Sequence, residues 1–320
     1  MKVLVTGGAG YIGSHMVQVL AERGDDVIVV DDLSTGHADA VPAGRFVRAD
    51  ITDVAAMAPL LEGVEAVIHF AASSLVGESV ADPLKYYIRN IGGTAALLHA
   101  MRMAGVGKIV FSSTAATYGN PVRTPIDEAH PTQPVNPYGA TKLAVERMLA
   151  DCSAAYGLRA ASLRYFNAAG ADPKGRLGER HSPETHLIPL VLQAARGRRP
   201  SVSVFGNDYP TRDGTCVRDY VHVVDLCDAH LRALEWLKNA KCDVFNLGNG
   251  EGATVHEVIE AARRVTGKPI KSVLAERRAG DPPSLVADAT KARRVLGWEP
   301  RHKDIEGIVR DAWRWEQAQS

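Results

Sequence analysis

The chain has 320 residues, room for one large domain or two, and 46% of them are hydrophobic while only 6% are aromatic. That composition suits a helix-rich α/β protein and excludes disordered and fibrous classes. Lys plus Arg (37) balances Asp plus Glu (37), so no basic footprint for nucleic acid or an anionic membrane is present, and no apolar run reaches the length of a bilayer span. The four cysteines, Cys152, Cys216, Cys227 and Cys242, lack CxxC spacing and a histidine cluster, so no metal is expected. With "KVLVTGG" following Met1 directly, the expected location is the cytoplasm.

In chain order, "KVLVT" (2–6), "DVIVV" (26–30), "RFVRA" (45–49), "AVIHF" (66–70), "KIVFSS" (108–113) and "LRAASLRY" (158–165) predict strands. They are too apolar for one-sided sheets, which argues for parallel strands covered on both faces. Helices are expected between them at about 11–23, 53–61, 83–104 and 137–156. This alternation predicts an α/β fold with a doubly wound parallel sheet. After "NAAG" (167–170), the polar stretch "ADPKGRLGERHSPETH" (171–186) has no periodicity and reads as a mobile loop. Beyond it, "SVSVFG", "CDVFNLG" and "IKSVLA" predict strands among helices near 187–197, 222–238, 254–266 and 304–318. The expected organisation is a dinucleotide-binding domain over 1–170, to which some later segments return, and a smaller α/β substrate lobe over 171–320.

"VTGGAGYIGSH" places Gly7, Gly10 and Gly13 at the first strand-to-helix turn. The spacing allows a tight turn and close backbone approach to a pyrophosphate, and the following helix offers its amides and dipole to the anion. Asp31 ends the second strand, where a carboxylate accepts from a ribose diol and repels a 2′-phosphate, favouring NAD over NADP. Asp50, after the third strand, suits an adenine amino group.

"NPYGATKLAVE" (136–146) reads as an N-cap asparagine, a proline at the first helical position and then Tyr138 and Lys142 one turn apart. A free tyrosine is a poor base near neutrality. An adjacent ammonium and a positive nicotinamide stabilise its phenolate, and lowering the pKa to 7 needs about 4 kcal/mol. Thr114, at the end of "KIVFSST", can share the hydroxyl that Tyr138 deprotonates. This constellation serves hydride transfer at a carbinol carbon.

These motifs, with "DLSTGH", "LRYFNAAGA", "HLIP", "FGNDYPTRDGTCVRDYVHV" and "NLGNG", resemble the extended short-chain dehydrogenase/reductase superfamily and, within it, the UDP-glucose 4-epimerase family. The likeness spans nearly the whole chain, and the "FGNDYPT" block is its most specific part. It implies that UDP-galactose and UDP-glucose interconvert through a 4-keto sugar over tightly bound NAD, with Tyr138 as base, assisted by Thr114 and Lys142. Around the cofactor the resemblance implies Gly7, Gly10, Tyr11, Ile12, Gly13, Asp31, Asp32, Leu33, Ser34, Thr35, Gly36, Asp50 and Ile51. Phe70, Ala71, Ala72, Ser73, Ser74, Asn90, Thr114, Tyr138, Lys142 and Phe166 complete that set. For the UDP-sugar it implies Thr114, Tyr138, Asn167, His186, Leu187, Ser203, Val204, Phe205, Arg218, Arg278, Asp281 and Leu285. Both arginines suit a diphosphate, which rewards bidentate guanidinium contacts.

Three positions depart from the family pattern: Asp32 replaces a common Asn, Ser74 a lysine of some members, and Leu285 stands at the site that gates N-acetylated sugars. Turnover of UDP-GlcNAc is therefore open, as is that of UDP-pentoses and UDP-uronates. A nucleotide-sugar dehydratase needs an acid–base pair after the threonine, where this chain has Ala115 and Ala116. A non-catalytic NAD-binding regulator would have lost the tyrosine or the lysine. His69 reads as a core histidine and Trp313 and Trp315 as packing residues. A homodimer through the helices at 83–104 and 137–156 is expected, with Leu97, Leu98, Met101, Leu143 and Met148 suiting either that interface or the core.

Overall fold

The computed structural model describes residues 1–278 and 281–319. Its strands are β1 (Lys2–Thr6), β2 (Asp26–Asp31), β3 (Arg45–Arg48), β4 (Ala66–His69), β5 (Lys108–Thr114), β6 (Arg159–Tyr165) and β7 (Asn167–Ala169). They continue with β8 (Val202–Phe205), β9 (Val217–Arg218), β10 (Tyr220–His222), β11 (Cys242–Leu247), β12 (Ala253–Thr254), β13 (Ser272–Ala275) and β14 (Ser284–Leu285). The helices are α1 (Tyr11–Glu22), α2 (Val54–Met57), α3 (Val76–Ala81), α4 (Pro83–Tyr86), α5 (Gly93–Met103) and α6 (Pro137–Tyr156). After them come α7 (Leu187–Ala195), α8 (Val223–Trp236), α9 (Val255–Thr266), α10 (Thr290–Leu296) and α11 (Ile305–Ala318).

Seven parallel strands make the main sheet in the order β11-β6-β5-β4-β1-β2-β3, the doubly wound α/β arrangement that the alternation predicts. Pleating sends alternate residues to opposite faces. Val3 and Val5 enter a core with Met16, Val17 and Leu20 of α1 and with α8, while Leu4 enters a second core with Leu97 and Met101 of α5 and Leu149 of α6. Burial on both faces is why these strands carry apolar runs without alternation. A third core joins α7, α9 and α11 with Val202 and Val204 of β8.

β11 returns from the second half of the chain to pair with β6, and α8 covers the same sheet. The expected helix over 83–104 is three pieces, α4, a π-helical segment over Tyr87–Gly92 and α5. The sequence reading lacks α3, α10 and the short strands β7, β9, β10, β12 and β14. Short elements hold too few residues for a period to show. Leu97, Leu98 and Met101 belong to the second core, partly buried Met148 packs against it, and Leu143 is buried outside it. Exposed large hydrophobic residues near them include Val76, Val80, Leu84, Tyr87 and Ile88.

The loop 171–186, read as mobile, is clamped. Arg176 pairs with Asp172 and Glu22, Arg180 with Asp39, and Trp315 donates Nε1–H to the Glu179 carbonyl at 3.0 Å. Its lack of periodicity reflects fixation by polar side chains rather than by a buried apolar stripe.

Candidate active site

The strand order reverses at β1, which has β2 on one side and β4 on the other. Open α/β sheets hold ligands in the crevice beyond the carboxyl ends of such strands. Gly7, leaving β1, has φ +69°, and a Cβ there would stand 2.6 Å from the Ala71 amide nitrogen after β4. A Cβ on Gly13 would fall 2.1 Å from the Gly7 carbonyl oxygen, and one on Gly10 3.3 Å from it. Both glycines thus let the turn fold back under α1. α1 has no side-chain cap, and its first internal hydrogen bond runs from the Ser14 amide to the Gly10 carbonyl at 2.9 Å. The earlier amides, those of Tyr11, Ile12 and Gly13, remain outside the helical ladder and suit an anion. Tyr11 offers only its backbone, because its buried phenol donates to the Gly170 carbonyl at 2.6 Å.

At the adenosine end, buried Asp31 accepts from the Ala9 amide at 3.0 Å and the Leu33 amide at 2.9 Å, and burial raises its pKa. Leu33 takes φ +61°, and Gly36 approaches so closely that a Cβ would meet Asp31 Oδ1 at 3.0 Å. Asp32 accepts from Ser34 and pairs with Arg89 at 2.8 Å; Thr35 borders the same turn, near Gly10 and His37. Exposed Asp50 holds the Thr52 amide and hydroxyl, both at 2.8 Å, beside buried Ile51. On the opposite wall, the segment from Phe70 through Ala71 and Ala72 to Ser73 and Ser74 leaves β4. Buried Asn90 fixes it, accepting from the Ser73 amide at 2.8 Å and donating to the Ser73 carbonyl and to Thr141 at 3.0 Å each. The glycine cradle, the unpaired helix-start amides and the recessed carboxylate fit a dinucleotide.

Across the crevice, β5 ends at Thr114 and α6 begins at Pro137. The Asn136 side chain accepts from the Gly139 amide at 2.8 Å, and Gly157 closes α6 with φ +79°. Tyr138 and Lys142 share one face. The Thr114 hydroxyl lies beside the Tyr138 phenol and favours its phenolate. Buried Lys142 donates to the Ser112 carbonyl at 2.8 Å, lies 4.8 Å from the Phe111 ring centroid and 5.9 Å from that of Tyr138. Burial dominates both groups: it pushes Tyr138 up to about 12 and Lys142 down to about 7, the latter against the pull of Glu146. The sequence argument started from an ordinary phenol, so it undercounts the stabilisation the phenolate needs.

Glu146, one further turn along, is a residue the sequence reading missed. It is buried, ion-paired with Arg164, and accepts from the Ser113 hydroxyl at 2.5 Å. Its signal was present, since positions 138, 142 and 146 repeat at the spacing that already joined tyrosine and lysine. His69 is a core histidine, as expected: its ring nitrogens lie 2.6 Å from Thr6 Oγ1 and 2.9 Å from Thr94 Oγ1, and burial lowers it to about 3.

Past β6, Phe166 and Leu285 pack on Ala115, Tyr118 and Ile126, immediately behind Thr114. Asn167 donates to the Asp219 carbonyl at 3.1 Å. Arg218 donates to the carbonyls of Val217 (2.8 Å) and Pro282 (3.0 Å) and pairs with Asp281, while the Arg278 guanidinium lies 4.0 Å over the Phe205 ring. β14 pairs with β9 in register Leu285 to Arg218, which sets Arg218 beside a residue that packs on Ala115, the neighbour of Thr114. Val204 turns its side chain into the third core, between exposed Ser203 and half-buried Phe205. Leu187 opens α7 on that core. His186, ahead of it, contacts Glu179, whose charge holds the imidazole up at about 9.

Residues 3–248 match the family model of the NAD dependent epimerase/dehydratase family. The chain belongs to that family. Within it, the chain is 56% identical over 318 residues to the UDP-glucose 4-epimerase of Halalkalibacterium halodurans, covering 98% of this chain and 95% of the relative. A crystal structure of a UDP-glucose 4-epimerase superposes with TM-score 0.98 at 50% identity, over 100% of this chain and 98% of that one. The UDP-glucose 4-epimerase from Brucella ovis, solved in complex with NAD, superposes with TM-score 0.95 at 51% identity, over 98% of this chain and 97% of that one. The family's cofactor, NAD, matches the dinucleotide-shaped crevice.

Proposed function

We propose that the protein interconverts UDP-galactose and UDP-glucose by inverting carbon 4 of the sugar. The observation that carries this reading is the placement of Tyr138 beside Thr114 and one turn from Lys142, across the crevice from the glycine turn. Bound NAD⁺ supplies the acceptor and donor of hydride at the sugar carbon. Gly7, Gly10, Tyr11, Ile12 and Gly13 hold its pyrophosphate through backbone groups, and Asp31 holds the adenosine ribose. Tyr138 takes the proton of the 4′-hydroxyl, and Thr114 keeps that hydroxyl aligned. Lys142, anchored on the Ser112 carbonyl, favours the phenolate by charge. Arg218 and Arg278 hold the diphosphate, so that the sugar turns about a fixed tether and presents its second face. Tyr138 then returns the proton, and no net oxidation results.

The exposed stripe Val80, Leu84 and Ile88, spaced four residues apart and 64%, 65% and 57% exposed, is the apolar surface that a second copy of the chain would cover; homodimerisation through it is part of the proposal. The proposed location is the cytoplasm, in keeping with four free thiols and, among the described residues, no helix long and apolar enough to cross a membrane.

The test is incubation with UDP-galactose, without added cofactor, and detection of UDP-glucose. Tyr138→Phe is expected to lower turnover about 100-fold or more. A fully active variant refutes the assigned base.

A further inference from the structure

Four side chains in the clamped loop converge on a single point beside the cofactor turn. Glu179, His181, Glu184 and His186 each turn one ligand-type atom inward, and all four atoms lie within 4.8 Å of one another. His181 Nδ1 stands 2.8 Å from Glu179 Oε1, and His186 Nδ1 contacts the same oxygen. Glu184 faces both rings from the other side, at 4.0 Å from His181 Nδ1 and 3.9 Å from His186 Nδ1. The two carboxylates are only 6% exposed. Two buried carboxylates side by side need compensating charge. Simple ion pairing would give each its own imidazole, yet both imidazoles here point the same ring nitrogen at one centre. A dication there would displace the proton that Glu179 favours on His186, and with two carboxylates its charge is balanced.

We propose that Glu179, His181, Glu184 and His186 form a structural binding site for a zinc-type divalent cation. Imidazole nitrogens with carboxylate oxygens suit zinc, whereas magnesium and calcium favour oxygen alone. Four protein ligands close a tetrahedron and leave no open position, so the ion staples and does not catalyse. The surroundings supply the outer contacts that orient ligands. Glu184 Oε1 accepts from the Thr185 amide at 2.7 Å and the His186 amide at 2.8 Å, the His181 ring sits edge-on to Tyr11 at 6.3 Å, and Trp315 holds the Glu179 carbonyl.

The staple joins two halves of the crevice. On one side the loop lies over the phosphate turn: Arg180 pairs with Asp39, His37 Nε2 lies 2.9 Å from the Arg180 carbonyl oxygen, and a cavity of about 70 Å³ separates Gly10 and Tyr11 from Arg180 and His181. On the other side His186 caps the start of α7. The ion would keep the 179–186 segment folded over the cofactor turn; that role rests on the proposed function, but metal uptake does not.

The full-length protein, stripped with a chelator and dialysed, is titrated with zinc chloride at micromolar concentration. Bound zinc per chain is measured by elemental analysis, alongside thermal unfolding, neither of which needs NAD or a sugar. One zinc per chain and a raised Tm are expected. His181→Ala and Glu184→Ala lose uptake by about tenfold or more and lose the Tm rise. Glu184→Gln, which keeps shape and removes charge, serves where circular dichroism shows an alanine variant unfolded. Failure of the wild type to take up zinc, or equal uptake by the variants, overturns the proposal.

Discussion

Lys142→Met keeps a stem of similar length and removes the ammonium, which makes it the sharpest probe of how the phenol is activated. Burial holds Tyr138 at about 12, so bringing it to neutrality needs about 7 kcal/mol, at roughly 1.36 kcal/mol per pH unit. The ammonium lies 5.9 Å from the ring centroid. At an effective dielectric near 20, a unit charge at that distance is worth about 3 kcal/mol, or about two pK units. Lys142 therefore supplies less than half of the requirement, and the remainder falls to the positive nicotinamide. Lys142 itself sits at about 7, so ammonium and phenolate each favour the other's charged form. The phenolate is the working base, so activity rises with pH through the Tyr138 pKa. Losing the ammonium shifts that rising limb up by about two units and lowers turnover at pH 7 by about 100-fold. The assay is a pH titration of phenolate absorbance in NAD-loaded wild type and variant, read beside the pH–rate profile. A limb that moves by less than about half a unit refutes the electrostatic account.

Gly13→Ala would set a methyl 2.1 Å from the Gly7 carbonyl oxygen and 2.8 Å from Gly8 Cα. Backbone cannot yield there without displacing the turn, so NAD affinity is expected to fall about tenfold or more at a stability cost of about 1–3 kcal/mol; a fluorescence titration that matches the wild type would sink the pyrophosphate assignment. Leu84→Asp places a charge on the exposed stripe. Sedimentation should find the variant monomeric while the wild type is dimeric, and an unchanged dimer would move the interface elsewhere.

The amino-acid order alone determined the doubly wound sheet, because strands covered on both faces carry apolar runs without alternation, and residues 3–5, 27–30, 66–68 and 109–111 are such runs. It also determined the helix start at Asn136-Pro137 and the one-face placement of Tyr138 and Lys142, since four residues make one turn whatever the surroundings. Tertiary structure decided what depends on neighbours distant in sequence. Leu97 and Met101 went to the core and Leu84 to the surface, although all are apolar residues in helical segments, because only packing against the sheet distinguishes their faces. β11 joined β6, from which it is separated by β7 to β10, α7 and α8. Burial raised the tyrosine before any charge could lower it. The grouping of Glu179, His181, Glu184 and His186 looked like an irregular polar loop in one dimension. Its order comes from side chains that find their partners, Asp39, Tyr11 and Trp315 among them, only once the chain has folded.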